Sequence, residues 1–163
     1  DIQHDPNHGT NQTVRGLFQL GFFQHPVDDG NDDADDDGAR RQKQEGGMLF
    51  VVSHSSSNTI SRDYAVHFGI QPDEIYGWER PAHERKPNPW PLQDIMTKYG
   101  FKPEEILVVD DMQLACQMAE PLGVKVCFAG WDDMGVPEQR RDMESRCAYT
   151  FNSVEELEKF LFN

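Results

Sequence analysis

Asp110 and Asp111 stand side by side at the end of the apolar run Ile106-Leu107-Val108-Val109. Two like charges at the end of a buried run repel one another, and burial raises their pKa values unless a metal ion or basic group neutralises them. The pair therefore reads as a cation site. The bland alternative is a helix cap, because Asp is a favoured N-cap residue. Two more polar signals stand at comparable places: Ser53-His54 after Met48-Leu49-Phe50-Val51-Val52, and Lys86 in the loop before Asn88-Pro89-Trp90-Pro91. A serine hydroxyl and the unpaired amides of a helix start bind phosphate oxygens. His54, directly after Ser53, can donate to the same phosphate, and Lys86 can neutralise a developing phosphoryl charge. Taken singly, Ser53 is a cap and Lys86 a solvated side chain. Taken together, the three junctions suit one polyanionic ligand and a cation.

The elements that must position these residues alternate between strand and helix from Met48 onward. Met48 to Val52 reads as a strand, Thr59 to Phe68 as an amphipathic helix closed by Gly69, and Ile75-Tyr76 as a short strand. Prolines at 89 and 91 suit the first turn of a helix that runs to Tyr99 and stops at Gly100. The run at Ile106 has no polar alternation, as expected of an interior strand in a parallel sheet, and its carboxyl end is where open α/β folds bind ligands. A helix from about Gln113 to Glu120, strands at Val124 to Phe128 and Ala148 to Phe151, and a capping box at Ser153 opening a terminal helix complete the pattern. Strands separated by single helices predict an α/β fold, a Rossmann-like three-layer sandwich with a mostly parallel sheet.

Residues 1–47 are different in kind. They hold 10 acidic and 4 basic side chains, so −6 of the net charge of −14 sits there, with seven Asp between Asp28 and Gly38. That stretch reads as a solvated loop or linker, and the segment as an atypical acidic leader, a remnant of a cap or a truncated front end, ahead of a core at 48–163. Val14, Leu17 and Phe18 have helical spacing before Gly21, which predicts a short docked helix. Asp33-x-Asp35-x-Asp37-Gly38 matches the first half of a calcium loop, but Arg40 and Gln44 fail the second half. His4 and His8 read as surface residues and His67 as a packed histidine.

The acidic balance argues against nucleic acid and anionic membrane as partners. No apolar stretch approaches a membrane span and no signal-peptide pattern opens the chain, so a soluble cytoplasmic protein is expected. Cys116, Cys127 and Cys147 form no C-x-x-C pair and leave an odd one over, which argues against a disulfide framework or a cysteine zinc site; Cys116 and Cys127 read as core filler.

Residues 48–163 resemble the haloacid dehalogenase-like (HAD) superfamily, specifically its phosphatases. The resemblance lies on Phe50-Val51-Val52-Ser53, on Lys86-Pro87, on Val108-Val109-Asp110-Asp111, on Phe68-Gly69-Ile70 followed by Glu74-Ile75-Tyr76-Gly77, and on Gly123-Val124-Lys125-Val126. It implies a Mg²⁺-dependent phosphohydrolase acting on a small phosphorylated metabolite through an aspartyl-phosphate. Ser53 and Lys86 would hold the phosphate, Lys86 and Asp110 would serve catalysis, and Asp110 and Asp111 would bind Mg²⁺. Two departures matter. Leu114 stands where one version of the metal motif has a second Asp, a role Asp111 can fill. The family's Asp-x-Asp motif, which ends its central first strand, has no counterpart; Asp5-Pro6-Asn7 lacks both the spacing and a preceding apolar strand. The first strand is therefore expected to be missing or replaced. The alternative function is a catalytically silent HAD-like fragment or binding subunit that retains both pockets. A receiver-type signalling domain gathers similar groups, but there the acidic pair comes first in the chain and the lysine last.

Overall fold

Aliphatic and aromatic runs bounded by Gly, Pro and Asp form the strands of one sheet, and the computed structural model describes residues 16–19, 36–132 and 135–162. The strands are β1 (Gly16–Gln19), β2 (Met48–Val52), β3 (Glu74–Tyr76), β4 (Ile106–Asp110), β5 (Lys125–Ala129) and β6 (Tyr149–Phe151). They lie in the order β3-β2-β1-β4-β5-β6, and every neighbouring pair is parallel. The helices are α1 (Asp36–Gln44), α2 (Ser57–Asp63), α3 (Trp90–Tyr99), α4 (Gln113–Ala119), α5 (Pro137–Arg146) and α6 (Val154–Phe162).

Alternation along the strands divides the core into two layers, because successive side chains of a strand point to opposite faces. Phe50, Val52, Val108, Val126 and Phe128 pack on one face with Leu92 and Ile95 of α3, Cys116 of α4 and Met143 of α5. Leu49, Val51, Leu107, Val109 and Cys127 pack on the other with Ala39 of α1, Ile60 of α2 and Leu157 of α6. Helices on both faces of a parallel sheet make the three-layer α/β sandwich that the sequence predicts.

The front of the chain corrects three expectations. Gly16–Gln19 is a strand, not a helix, pairing Leu17 with Leu49 on one side and with Leu107 on the other. Five residues are too few for periodicity to separate helix from strand, and two ladders of backbone hydrogen bonds outweigh local preference. The first-strand position is thus filled from the acidic segment, between β2 and β4. Second, the boundary expected at 47/48 falls inside the fold, since β1 belongs to the sheet and α1 places Ala39 in the core. Third, Asp36, Asp37 and Gly38 lie in α1 and not in a loop. The other acidic residues of the proposed calcium loop, and His4, Asp5 and His8, lie outside the described residues.

Elsewhere the differences are small. The helix of α2 continues through a wider turn, Tyr64–Phe68, to Gly69, whose φ of 64° is a conformation glycine adopts without strain. His67 on that turn is exposed, with its ring edge-on to Phe68 at 6.5 Å. Sequence patterning missed α5 because Met143 is its one buried residue, leaving almost no apolar stripe to detect. Pro137 and Glu138 in its first turn were the available signals. Among the described residues no helix is long and apolar enough to cross a membrane.

Candidate active site at the carboxyl ends of β2 and β4

Asp110 is the last residue of β4 and is fully buried. Its Oδ2 accepts a hydrogen bond from Lys86 Nζ at 3.2 Å, and the two side chains are 0% and 4% exposed. Its Oδ1 accepts from the Met112 amide at 2.8 Å, which turns the chain from the strand towards α4. Burial pushes the Asp110 carboxyl up to about 7; the Lys86 ammonium pulls it back, while neighbouring Asp111 pushes it further up. A carboxylate held in this way is short of positive charge.

Lys86 reaches Asp110 from the loop between β3 and α3. His54 helps to hold that loop: its Nε2 lies 3.3 Å from the Lys86 carbonyl, and since a carbonyl oxygen only accepts, Nε2 carries the proton. The exposed His54 therefore links the loop after β2 to the lysine loop. Trp78 stands edge-on to His54 with ring centroids 6.1 Å apart, and the Arg85 guanidinium lies 4.2 Å over its indole. The sequence reading overlooked Arg85, whose neighbour Lys86 carried the stronger signal.

Ser53 follows β2 and extends its pairing, donating its amide to the Tyr76 carbonyl at 3.0 Å. Its Oγ accepts from the Ser55 amide at 3.1 Å, which leaves the hydroxyl proton to donate elsewhere. Val51 and Val109 both pair with Gln19 of β1, so β2 and β4 are two strand spacings apart, about 10 Å. Ser53 and Asp111, each two residues further on, directly follow the ends of their strands at the same level. The structure thus joins Lys86 directly to Asp110, ties His54 to the lysine loop, and sets Ser53 across β1 from the acidic pair.

The loop after β3 approaches α2 closely at Gly77. A Cβ there would meet the Ser57 amide and hydroxyl, and the Glu79 carboxylate, each at 2.6 Å. Gly77→Ala is expected to destabilise the protein by about 1–3 kcal/mol, because the Ser57 backbone has nowhere to go. A urea midpoint unchanged from the parent would show that the loop yields instead.

Mg²⁺ suits the donor chemistry of Asp110 and Asp111, since it is commonly held by one or two carboxylates together with waters and substrate phosphate. No cluster of three or more His, Cys, Asp or Glu able to hold a metal occurs among the described residues, so the pair is not a self-sufficient cage.

The model for haloacid dehalogenase-like hydrolases matches residues 41–129, more than half of the chain, and spans Ser53, Lys86 and the acidic pair. The chain belongs to this family. Its fold recurs in solved HAD structures: a predicted phosphoglycolate phosphatase from Haemophilus somnus is 24% identical, with a TM-score of 0.63 over 76% of this chain and 54% of that one. CbbY from Rhodobacter sphaeroides, solved with phosphate, is 19% identical with a TM-score of 0.60 over 74% of this chain and 53% of that one. The cobalt-bound deoxy-D-mannose-octulosonate 8-phosphate phosphatase from Haemophilus influenzae is 11% identical with a TM-score of 0.64, over 92% of this chain and 88% of that one. The chain spans about half the length of the first two. Curated proteins give no match.

Proposed function

We propose that the carboxyl ends of β2 and β4 bind the phosphoryl group of a small phosphorylated metabolite together with Mg²⁺, as the substrate-holding part of a HAD-type phosphohydrolase. The buried Lys86–Asp110 pair carries this reading. A fully buried ion pair is poor stability engineering, because desolvation consumes most of its attraction. It makes sense where both groups also serve a charged ligand. Lys86 supplies the ammonium for phosphoryl oxygens, and the Ser53 hydroxyl proton supplies a neutral donor on the far side of β1. Mg²⁺ on Asp110 and Asp111 would screen the negative charge of the bound group. Hydrolysis through an aspartyl-phosphate further requires a carboxylate that attacks phosphorus as the bond to the leaving oxygen breaks, after which water cleaves the acyl phosphate. The three cysteines are all free thiols, which suits a reducing, cytoplasmic setting.

One observation favours a second reading, binding without turnover. The residues that follow β1 in the chain are Leu20 and Gly21, neither of which can act as the nucleophile. Hydrolysis of an aryl phosphate with Mg²⁺, run beside Asp110→Asn and Lys86→Ala, separates the two. Activity lost in both variants is expected of the phosphohydrolase. No activity in the parent, with calorimetric binding of inorganic phosphate and Mg²⁺ that both substitutions abolish, would establish the silent domain. Absence of both activity and binding sinks the shared proposal.

A further inference from the structure

Cys116 and Cys147 are 31 residues apart in the chain, yet their sulfurs lie 3.6 Å from each other. Cys116 belongs to α4 and is fully buried; Cys147 directly follows α5 and is half-buried. Both belong to the core on the α3–α5 side of the sheet, whereas Cys127 of β5 packs on the opposite side. The two helices are already tied at their surface, where Arg146 pairs with Glu120 at 3.0 Å and Gln113 donates to Asp142 at 2.8 Å.

We propose that Cys116 and Cys147 are a reversible dithiol–disulfide modification site that staples α4 to the segment joining α5 and β6, formed by a hydroperoxide or a low-molecular-weight disulfide. Cys147, the more accessible sulfur, meets the oxidant. With a hydroperoxide its thiolate attacks the outer oxygen, the O–O bond breaks, and a sulfenic acid and an alcohol or water result. With a disulfide it displaces one thiolate and forms a mixed disulfide. The Cys116 thiolate then attacks the Cys147 sulfur and expels water or the second thiol. In sum two thiols lose two hydrogens and the oxidant gains them. The hydrogen bond from Cys147 and the charge of Arg146 favour the thiolate of Cys116 against its burial, which suits it to the resolving attack; the same hydrogen bond and burial hold the Cys147 thiol well above its usual range, so the first step is the slow one. A disulfide requires sulfurs about 2.05 Å apart, so the pair must close by roughly 1.5 Å.

The test treats the full chain with hydrogen peroxide or glutathione disulfide and maps its peptides without reduction. The expected product is a loss of two hydrogens, a Cys116–Cys147 linked peptide that dithiothreitol dissolves, and a melting temperature about 5 °C or more above the reduced protein. Cys127→Ser should retain all three results, and Cys147→Ser should lose them. Linkage through Cys127, or oxidation of Cys147 to sulfinic acid without a linked peptide, would overturn the proposal. Since the linked peptide is read on the parent chain, the outcome does not depend on either variant folding.

Discussion

Lys86→Ala is expected to lower the folding stability by about 3–5 kcal/mol at pH 8, more than any conservative surface change, because it leaves a fully buried carboxylate without its counter-charge. The loss should shrink as the pH falls. The lysine normally pulls the Asp110 carboxyl down, so without it the folded-state pKa rises further above the unfolded value of about 3.9. The orphaned acid then takes up a proton, and the charge penalty is gone once the pH falls below the parent's folded value of about 7, where Asp110 is neutral with or without the lysine. The double variant Lys86→Met with Asp110→Asn should recover much of the single variant's loss, because no unpaired charge remains buried. Urea denaturation of the parent, both single variants and the double variant at pH 5 and pH 8 gives the full cycle. Equal losses at the two pH values would show that Lys86 acts through packing and not through its charge.

The second large effect concerns Mg²⁺ and pH. In the unfolded chain the Asp110 carboxyl titrates near 3.9, and in the folded protein burial holds it at about 7. The stability contributed by the neutral acid is therefore fully present below about pH 4, and it is lost as the pH rises through 7. Ionised Asp110 at pH 8 is then the form that gains from a divalent cation. At tenfold excess over its dissociation constant, Mg²⁺ stabilises by about 1.4 kcal/mol. That corresponds to roughly 3–6 °C in melting temperature for a chain of this size, with much less gain at pH 5. Melting curves with Mg²⁺ and with EDTA at the two pH values measure this directly. A gain of the same size at both, or one that survives Asp110→Asn, would place the cation elsewhere.

Both effects arise at one residue whose importance was legible from its neighbours in the chain. An uninterrupted Ile-Leu-Val-Val run ending in two carboxylates marks a buried strand end, and the structure buries Asp110 completely. The Ser53 and Lys86 junctions were equally legible because each follows or precedes a well-marked element. What they touch was not. His54, expected to face the phosphate, donates to the Lys86 carbonyl, and the Trp78–Arg85 stack beside it joins residues seven apart in a loop without periodicity. Pairing of Cys116 with Cys147 was hidden as well, since spacing alone suggested no partner for either.

The sequence by itself determined the α/β class, the uninterrupted apolar strands buried on both faces, the places where those strands end, and the residue types gathered there. These follow from local patterns, since burial on both sides of a strand writes itself into consecutive residues. Only the tertiary structure decided that Gly16–Gln19 is the central strand, that the acidic segment contributes a helix to the core, and that Lys86 closes on Asp110 across 24 residues of chain. A strand of four residues has too little pattern of its own to declare a conformation. It acquires one from the open ladders of β2 and β4 on its two sides, which exist only after the rest of the sheet has assembled.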